Sequence, residues 1–115
     1  MIQRIDAGPR MSEATIHNGI VYCAGQVPET LDADIGVQTR EVLEAIDALL
    51  AQAGSDKTRI LQAQVVLADI GDFDGMNAEW ERWVVPGQGP ARATIEAKLA
   101  RPGWRIEIIV VAAQS

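Results

Sequence analysis

A run of alternating apolar and polar residues late in the chain, residues 89–98, most constrains the fold. From Ala91 to Leu99 every second residue is apolar, and Arg, Thr, Glu and Lys stand between them. A period of two predicts a β-strand with one apolar and one polar face. Residues 104–110 begin with the same alternation, and a short Pro/Gly segment precedes them. We therefore expect the two stretches to form an antiparallel hairpin.

Charge favours one register for this expected hairpin. Glu96 then lies opposite Arg105, and the like-charge pairs of the neighbouring register are avoided. The same register sets Thr94 opposite Glu107. Arg92 is then diagonal to Glu107, roughly 7–8 Å away by backbone geometry. A guanidinium and a carboxylate would share one face, close enough to hold a small ligand or a water between them.

The first half of the chain predicts an edge strand, a hairpin and a long helix. Residues 2–5 are expected to form the edge strand. Asn18 and Gly19 separate two β-type runs and tolerate the positive φ of a type I′ turn, which predicts the hairpin. Apolar residues at helical spacing follow, so that a helix of about 20 residues begins at Asp32 or Asp34 and ends at Gly54.

The second half predicts a buried strand and a second helix before the final hairpin. Residues 59–68 become nearly continuous in apolar side chains, which is typical of a central strand. Asp72 is expected to cap the second helix. Its predicted inner face comprises Phe73, Met76, Trp80, and Trp83 or Val84. Together these elements indicate an α+β fold in one domain, residues 1–115, with both helices on one face of the sheet. The other face would carry Arg92, Thr94 and Glu107, and would meet solvent or another subunit.

Composition argues against several classes of protein. The net charge of −6 argues against a nucleic-acid partner, because that affinity comes mostly from Lys and Arg on phosphates. The single cysteine cannot form an intramolecular disulfide, which suits a reducing compartment. Neither a signal-peptide pattern nor an apolar run long enough for a membrane span is present. We expect a soluble cytoplasmic protein.

Arg92 and Glu107 are the strongest candidate site residues. Arg92 presents a rigid fork of donors that matches a carboxylate, although a solvated arginine at a strand edge is the alternative. Glu107 lies among isoleucines, which would make it a better proton carrier near neutral pH, and an ion pair is its alternative. Thr94 is a good strand residue whose hydroxyl can hold a water.

The remaining chemical groups point to structural roles. Cys23 is expected to be a buried apolar residue, and His17 to be exposed beside a turn. With a single histidine and a single cysteine, we predict no transition-metal site. Trp80 and Trp83 are three residues apart on a helix, where core packing is the usual explanation and a stacking site is the alternative.

Several motifs together resemble the YjgF/RidA family. The resemblance covers almost the whole chain, and its arginine motif is fairly specific. The matching segments are Gly89-Pro90-Ala91-Arg92-Ala93-Thr94, then Leu99, Pro102 and Ile106-Glu107-Ile108, and earlier the run from Asn18 to Pro28, Gln38-Thr39-Arg40 and Asn77.

The resemblance implies a chorismate-mutase-like α+β fold with a mixed sheet. It also implies a homotrimer with three clefts between subunits, no cofactor, and hydrolysis of reactive 2-imino acids to 2-oxo acids and ammonia. Arg92 would hold the substrate carboxylate, with Thr94 beside it. Glu107 would position or deprotonate water. Gly25 would offer backbone contacts, and Asn77 would support the cleft from a neighbouring subunit.

The chain departs from well-known members at two positions. Arg10-Met11-Ser12 stands where those members carry Pro-Tyr, and Thr94 stands where they often carry Cys. These differences bear on substrate preference. Two other functions stay open: a metabolite-binding or regulatory trimer without turnover, and an RNA-cleaving translation inhibitor, which the acidic composition disfavours.

Overall fold

The computed structural model describes residues 1–115 as one six-stranded sheet with two helices on one of its faces. The strands, in chain order, are β1 (Gln3–Ile5), β2 (Ala14–His17), β3 (Ile20–Cys23), β4 (Ile60–Leu67), β5 (Ala91–Glu96) and β6 (Ile106–Ala113). The helices are α1 (Ile35–Gln52) and α2 (Phe73–Trp83). Short 3₁₀ turns at Lys57–Arg59 and Ile70–Asp72 lead into β4 and α2. Neither α-helix is long and apolar enough to cross a lipid bilayer.

The strand order is β1-β2-β3-β6-β4-β5, so the expected hairpin between β5 and β6 is wrong. β4 lies between them, parallel to β5 and antiparallel to β6. The connection passes over the end of β4, where the Ala97 N–H donates to the Leu67 carbonyl and the Ala68 N–H donates to the Arg105 carbonyl. The apolar β4 gains a neighbouring strand on both sides by lying between β6 and β5. Alternation identified the two strands, but it carries no information about which strand pairs with which or which face of β5 meets the helices.

The register of β5 on β4 also corrects the expected polar face. Arg92 pairs with Ala63 and Thr94 pairs with Val65, and both partners are fully buried. Because directly paired residues point to the same side, Arg92 and Thr94 face the helices rather than the open side of the sheet. Glu107 alone of the three lies on the open face.

The α1 boundaries follow the predicted signals. The Asp34 carboxylate accepts a hydrogen bond from the Val37 N–H at 2.9 Å, so Asp34 rather than Asp32 caps the helix. Gly54, with φ 76°, follows the last turn and reverses the chain. The predicted hairpin at Asn18 and Gly19 is likewise confirmed, with φ values of 52° and 77°.

The α2 start differs from the prediction in two respects. Asp72 occupies the cap position, but its carboxylate makes no capping hydrogen bond and instead accepts two from the Arg105 guanidinium, at 3.1 and 3.3 Å. Phe73 is 39% exposed and does not belong to the inner face. Met76 and Trp80, one turn apart, are the buried residues of the predicted set.

A buried amide joins two loops to the start of α1. Gln38 is fully buried, and its NH₂ group donates to the carbonyls of Thr30 and Gly103 at 3.1 and 2.8 Å. Its carbonyl accepts from the Arg105 N–H at 2.7 Å. These bonds fix the loop before α1 against the segment that enters β6.

Candidate functional site

Arg92 lies on the edge strand β5 and points toward α2. Its guanidinium carbon is 4.9 Å from the centre of the Trp80 ring, and Nη1 is 3.8 Å from the Met76 sulfur. No carboxylate forms an ion pair with Arg92, whereas Arg40, Arg82 and Arg105 each have one. The guanidinium is therefore held by an aromatic face and a thioether, and much of its donor capacity is free.

Partial burial alters the electrostatics of this cation. Desolvation lowers the pKa of Arg92 from its ordinary value, and attraction by Glu81 partly opposes that effect. The group still carries its charge, since arginine stays protonated in proteins. An unpaired and partly dehydrated guanidinium is a favourable partner for a bidentate carboxylate.

Thr94 and Asn77 lie on the same side of the sheet as Arg92. The Thr94 hydroxyl oxygen is buried and has no hydrogen-bond partner within the chain. Buried hydroxyls are normally satisfied, so an unpaired one indicates a place for a water or a ligand atom. Asn77 is half-buried on α2, one turn before Trp80. We call Arg92, Thr94, Asn77 and Trp80 the arginine half-site.

Glu107 and Gly25 meet on the opposite face of the sheet. Glu107 pairs with Val66 across β6 and β4, on the side away from the helices. A Cβ placed on Gly25 would lie 1.9 Å from the Glu107 Oε2, so the carboxylate occupies the space that any larger residue would need. Backbone bonds between Gln26 and Ile108, at 2.9 and 3.1 Å, fix this contact. Gly25 and Glu107 form what we call the glutamate half-site.

A single chain does not bring Arg92 and Glu107 together. The expected cleft assumed that β5 and β6 are paired, and the intervening β4 removes that assumption. The half-sites lie on opposite faces, so one ligand cannot contact both within the same chain.

The open face of the sheet is largely apolar. Tyr22 on β3 is 49% exposed and Ile95 on β5 is 43% exposed. Between them lies a shallow depression of about 200 Å³, lined by Gln62, Ala63, Gln64, Ala93, Ile109 and Val111. Exposed apolar surface of this kind is typical of protein contact surfaces.

The other candidates behave as structural residues. Cys23 is buried as expected, and desolvation raises the pKa of its thiol to about 11, which opposes nucleophilic chemistry. His17 is exposed. Nowhere do three or more His, Cys, Asp or Glu side chains come together as metal ligands would.

The contact of Trp80 with Arg92 was missed by the sequence interpretation, which favoured core packing for this residue. Both descriptions hold, since Trp80 is 7% exposed and also covers the guanidinium. The spacing of Met76 and Trp80 places them on one helix face. Nothing in the sequence indicates that this face lies against β5.

Comparison with known proteins gives consistent matches along the chain. The family model described as endoribonuclease L-PSP matches residues 1–114. A RutC family protein of Haemophilus ducreyi is 50% identical over 113 residues, covering 98% of this chain and 97% of that protein. The RutC family protein YoaB of Escherichia coli K12 is 49% identical over 112 residues, 97% of each chain. A crystal structure of a YjgF family protein from Neisseria meningitidis superposes with a TM-score of 0.96 at 44% identity, covering 100% of this chain and 96% of that one.

Proposed function

Because the chain belongs to the endoribonuclease L-PSP family, which is the YjgF/RidA family, we propose that it hydrolyses reactive 2-imino acids. The products would be a 2-oxo acid and ammonia. The observation that carries this proposal is the unpaired guanidinium of Arg92, a cation with free donors beside an unsatisfied Thr94 hydroxyl. A 2-imino acid supplies both the carboxylate and the polar group that such a site lacks.

The proposed active unit is a homotrimer in which each site combines two chains. Arg92 and Glu107 lie on opposite faces of one sheet, so a common cleft needs the arginine half-site of one subunit against the glutamate half-site of the next. The apolar open face supports this assembly, because packing it against a second copy removes Tyr22 and Ile95 from water. Asn77 would then contribute to the cleft from the subunit that provides Arg92.

The proposed reaction uses positioning and proton transfer. Arg92 binds the substrate carboxylate and fixes the imine carbon near the Glu107 carboxylate. Glu107 accepts a proton from water as the water oxygen bonds to the imine carbon, and the proton is then passed to the nitrogen. Glu107 then moves the hydroxyl proton of the resulting carbinolamine to its nitrogen, so that collapse forms the carbonyl, breaks the carbon–nitrogen bond and releases ammonia. An imine is already electrophilic, so holding the reactants in place supplies much of the rate.

Two other functions are consistent with the same family. A metabolite-binding trimer would use Arg92 as a carboxylate clamp without turnover, and it would tolerate loss of Glu107. RNA cleavage is disfavoured by the net charge of −6, because an RNA partner requires clustered cations.

A coupled assay tests the proposal. An amino-acid oxidase generates imines from several amino acids, and semicarbazide trapping reports how quickly each imine disappears. Wild type should speed the disappearance, and Arg92→Ala and Glu107→Gln should match the no-protein control. Lys98→Ala is a matched control, since Lys98 is an exposed cation beyond the end of β5.

The outcomes separate the three functions. A folded wild type that accelerates no imine loss contradicts the deaminase. If that protein still binds 2-oxo acids through Arg92, the metabolite-binding function is favoured. Salt-dependent RNA cleavage would instead favour the nuclease.

A further inference from the structure

We propose that Trp80 is the positioning residue for Arg92: its indole face holds the guanidinium so that the donor edge stays open to the substrate carboxylate. This inference rests on the proposed function only for the identity of the ligand that Arg92 binds. The contact between Trp80 and Arg92 lies within one chain and does not depend on that function.

The Trp80 ring is in position to fix a cation. It is 7% exposed, and its centre lies 4.9 Å from the Arg92 guanidinium carbon, within the range of a cation–π interaction. A second ring supports it, since Trp83 is tilted against Trp80 at 57° with a centroid distance of 5.3 Å. Trp83 is itself anchored to α1, because its Nε1 donates to the Asp47 carboxylate at 3.0 Å. The ring that faces Arg92 therefore belongs to a connected and oriented set of side chains.

An aromatic partner leaves the arginine available in a way that a carboxylate would not. Arg40 and Arg82, elsewhere on the helical layer, both donate to Oε2 of the buried Glu79, at 3.0 and 2.9 Å. A carboxylate takes donors at the edge of a guanidinium and neutralises its charge. A ring contacts the face and leaves both the edge donors and the charge unused. The Met76 sulfur, at 3.8 Å from Nη1, adds only a weak acceptor.

Core packing alone would also place Trp80 against its neighbours, so the test must separate packing from positioning. The chain offers a matched control in Trp104, whose ring faces the Arg101 guanidinium at 5.7 Å outside either half-site. The variants are Trp80→Leu, which removes the ring, Trp80→Phe, which keeps an aromatic face, and Trp104→Leu.

The first measurement is the side-chain NMR spectrum of arginine-labelled protein. We expect the Arg92 Nε–H resonance, assigned by its loss in Arg92→Lys, to be displaced by the ring current of Trp80 in wild type. Trp80→Leu should abolish the displacement, Trp80→Phe should retain part of it, and Trp104→Leu should leave it unchanged.

The second measurement is the binding of 2-oxobutanoate, a stable carboxylate probe. Trp80→Leu should weaken binding about 3- to 30-fold, the range expected for loss of a partly desolvated cation–π contact. Trp80→Phe should recover affinity to within about 3-fold, since a smaller aromatic face remains. Trp104→Leu should bind as wild type. In the imine assay, Trp80→Leu should raise KM more than it lowers kcat.

Several outcomes overturn the inference. An undisplaced Arg92 resonance in wild type does so even if Trp80→Leu fails to fold, and so does a folded Trp80→Leu variant with unchanged affinity. A wild type that binds no 2-oxo acid also contradicts it. Imine turnover tests the proposed function separately. If the wild type hydrolyses no imine but the variants still change the Arg92 resonance and the affinity for 2-oxobutanoate as expected, the deaminase function is contradicted and the role of Trp80 is supported.

Discussion

Arg92 and Glu107 project from opposite faces of one sheet, although only the strand β4 separates the strands that carry them. The two charged groups with the strongest sequence support are thus placed back to back. Trp80 contacts the Arg92 guanidinium, and Gly25 lies against the Glu107 carboxylate. Any chemistry that needs both groups on one molecule of substrate must draw them from two chains.

Mixing two inactive variants should restore activity. In the proposed trimer, each site takes Arg92 from one subunit and Glu107 from the next. A site is intact when a Glu107→Gln subunit supplies the arginine and an Arg92→Ala subunit supplies the glutamate. Random reassembly at equal concentration should recover about one quarter of the wild-type sites. The imine assay after co-refolding checks this. Separately refolded variants mixed without exchange are the control, and absence of any recovery would show that the site is not shared between chains.

Replacing Gly25 with alanine should remove activity while largely preserving stability. The new Cβ would overlap the Glu107 Oε2, and a carboxylate at the end of a flexible side chain can move aside at small cost. Imine turnover should therefore fall toward that of Glu107→Gln, with Tm within a few degrees of wild type. Gly8→Ala is the control, since its nearest contact is the Met11 carbonyl oxygen at an ordinary 3.6 Å. Wild-type turnover by Gly25→Ala would show that the position of this carboxylate does not matter.

Gln38→Leu should be strongly destabilising. The substitution keeps an apolar body of similar size but leaves the Thr30 and Gly103 carbonyls and the Arg105 N–H without their partner. Because each such unsatisfied group costs about 1–3 kcal/mol when buried, and these are partly buried, the free energy of unfolding should fall by about 2–4 kcal/mol. Urea unfolding measures the change. Gln52→Leu, at an exposed position of the same helix, should change it little.

Alkaline pH should weaken the protein through Cys23. Burial raises the pKa of this thiol from 9.0 to about 11, so the unfolded chain releases the proton first. The stability from this group is fully present below pH 9 and is lost as the pH rises toward 11, by about 2–3 kcal/mol at most. Urea unfolding from pH 8 to 11 should show a steeper decline in wild type than in Cys23→Ala. Parallel declines would assign the effect to other groups.

The sequence predicted the local elements well and their pairing less well. The resemblance-based expectation of a chorismate-mutase-like α+β fold is confirmed by its structural relatives. The bounds of α1 follow from Asp34 and Gly54, because caps act over a few residues. The pairing of β5 depends instead on competition between segments that are distant in the sequence. β4 lies between β5 and β6, so these two strands do not form the hairpin that their closeness in the sequence favoured.

The sequence offers candidate site residues but does not predict their geometry. Arg92 and Glu107 can be recognised as candidates from their residue types and their neighbours in the sequence. The face that each occupies depends on which strands pair, and charge complementarity between β5 and β6 predicted that pairing wrongly. Trp80 shows the same limit. Its helical spacing predicted burial, whereas its contact with Arg92 depends on how α2 lies over the edge of the sheet.

The central place of β6 has a consequence for how the protein is made. β3 and β4 are joined in the sheet only through Ile106–Ala113, which are synthesised after every other strand. A nascent chain that stops before Ile106 contains two sheet fragments, β1-β2-β3 and β4-β5, without the strand that joins them. Their unpaired edges are then exposed to other chains. Acquisition of the native core must therefore wait until these residues leave the ribosome. The many contacts between distant segments should make that final step slow for a domain of this size.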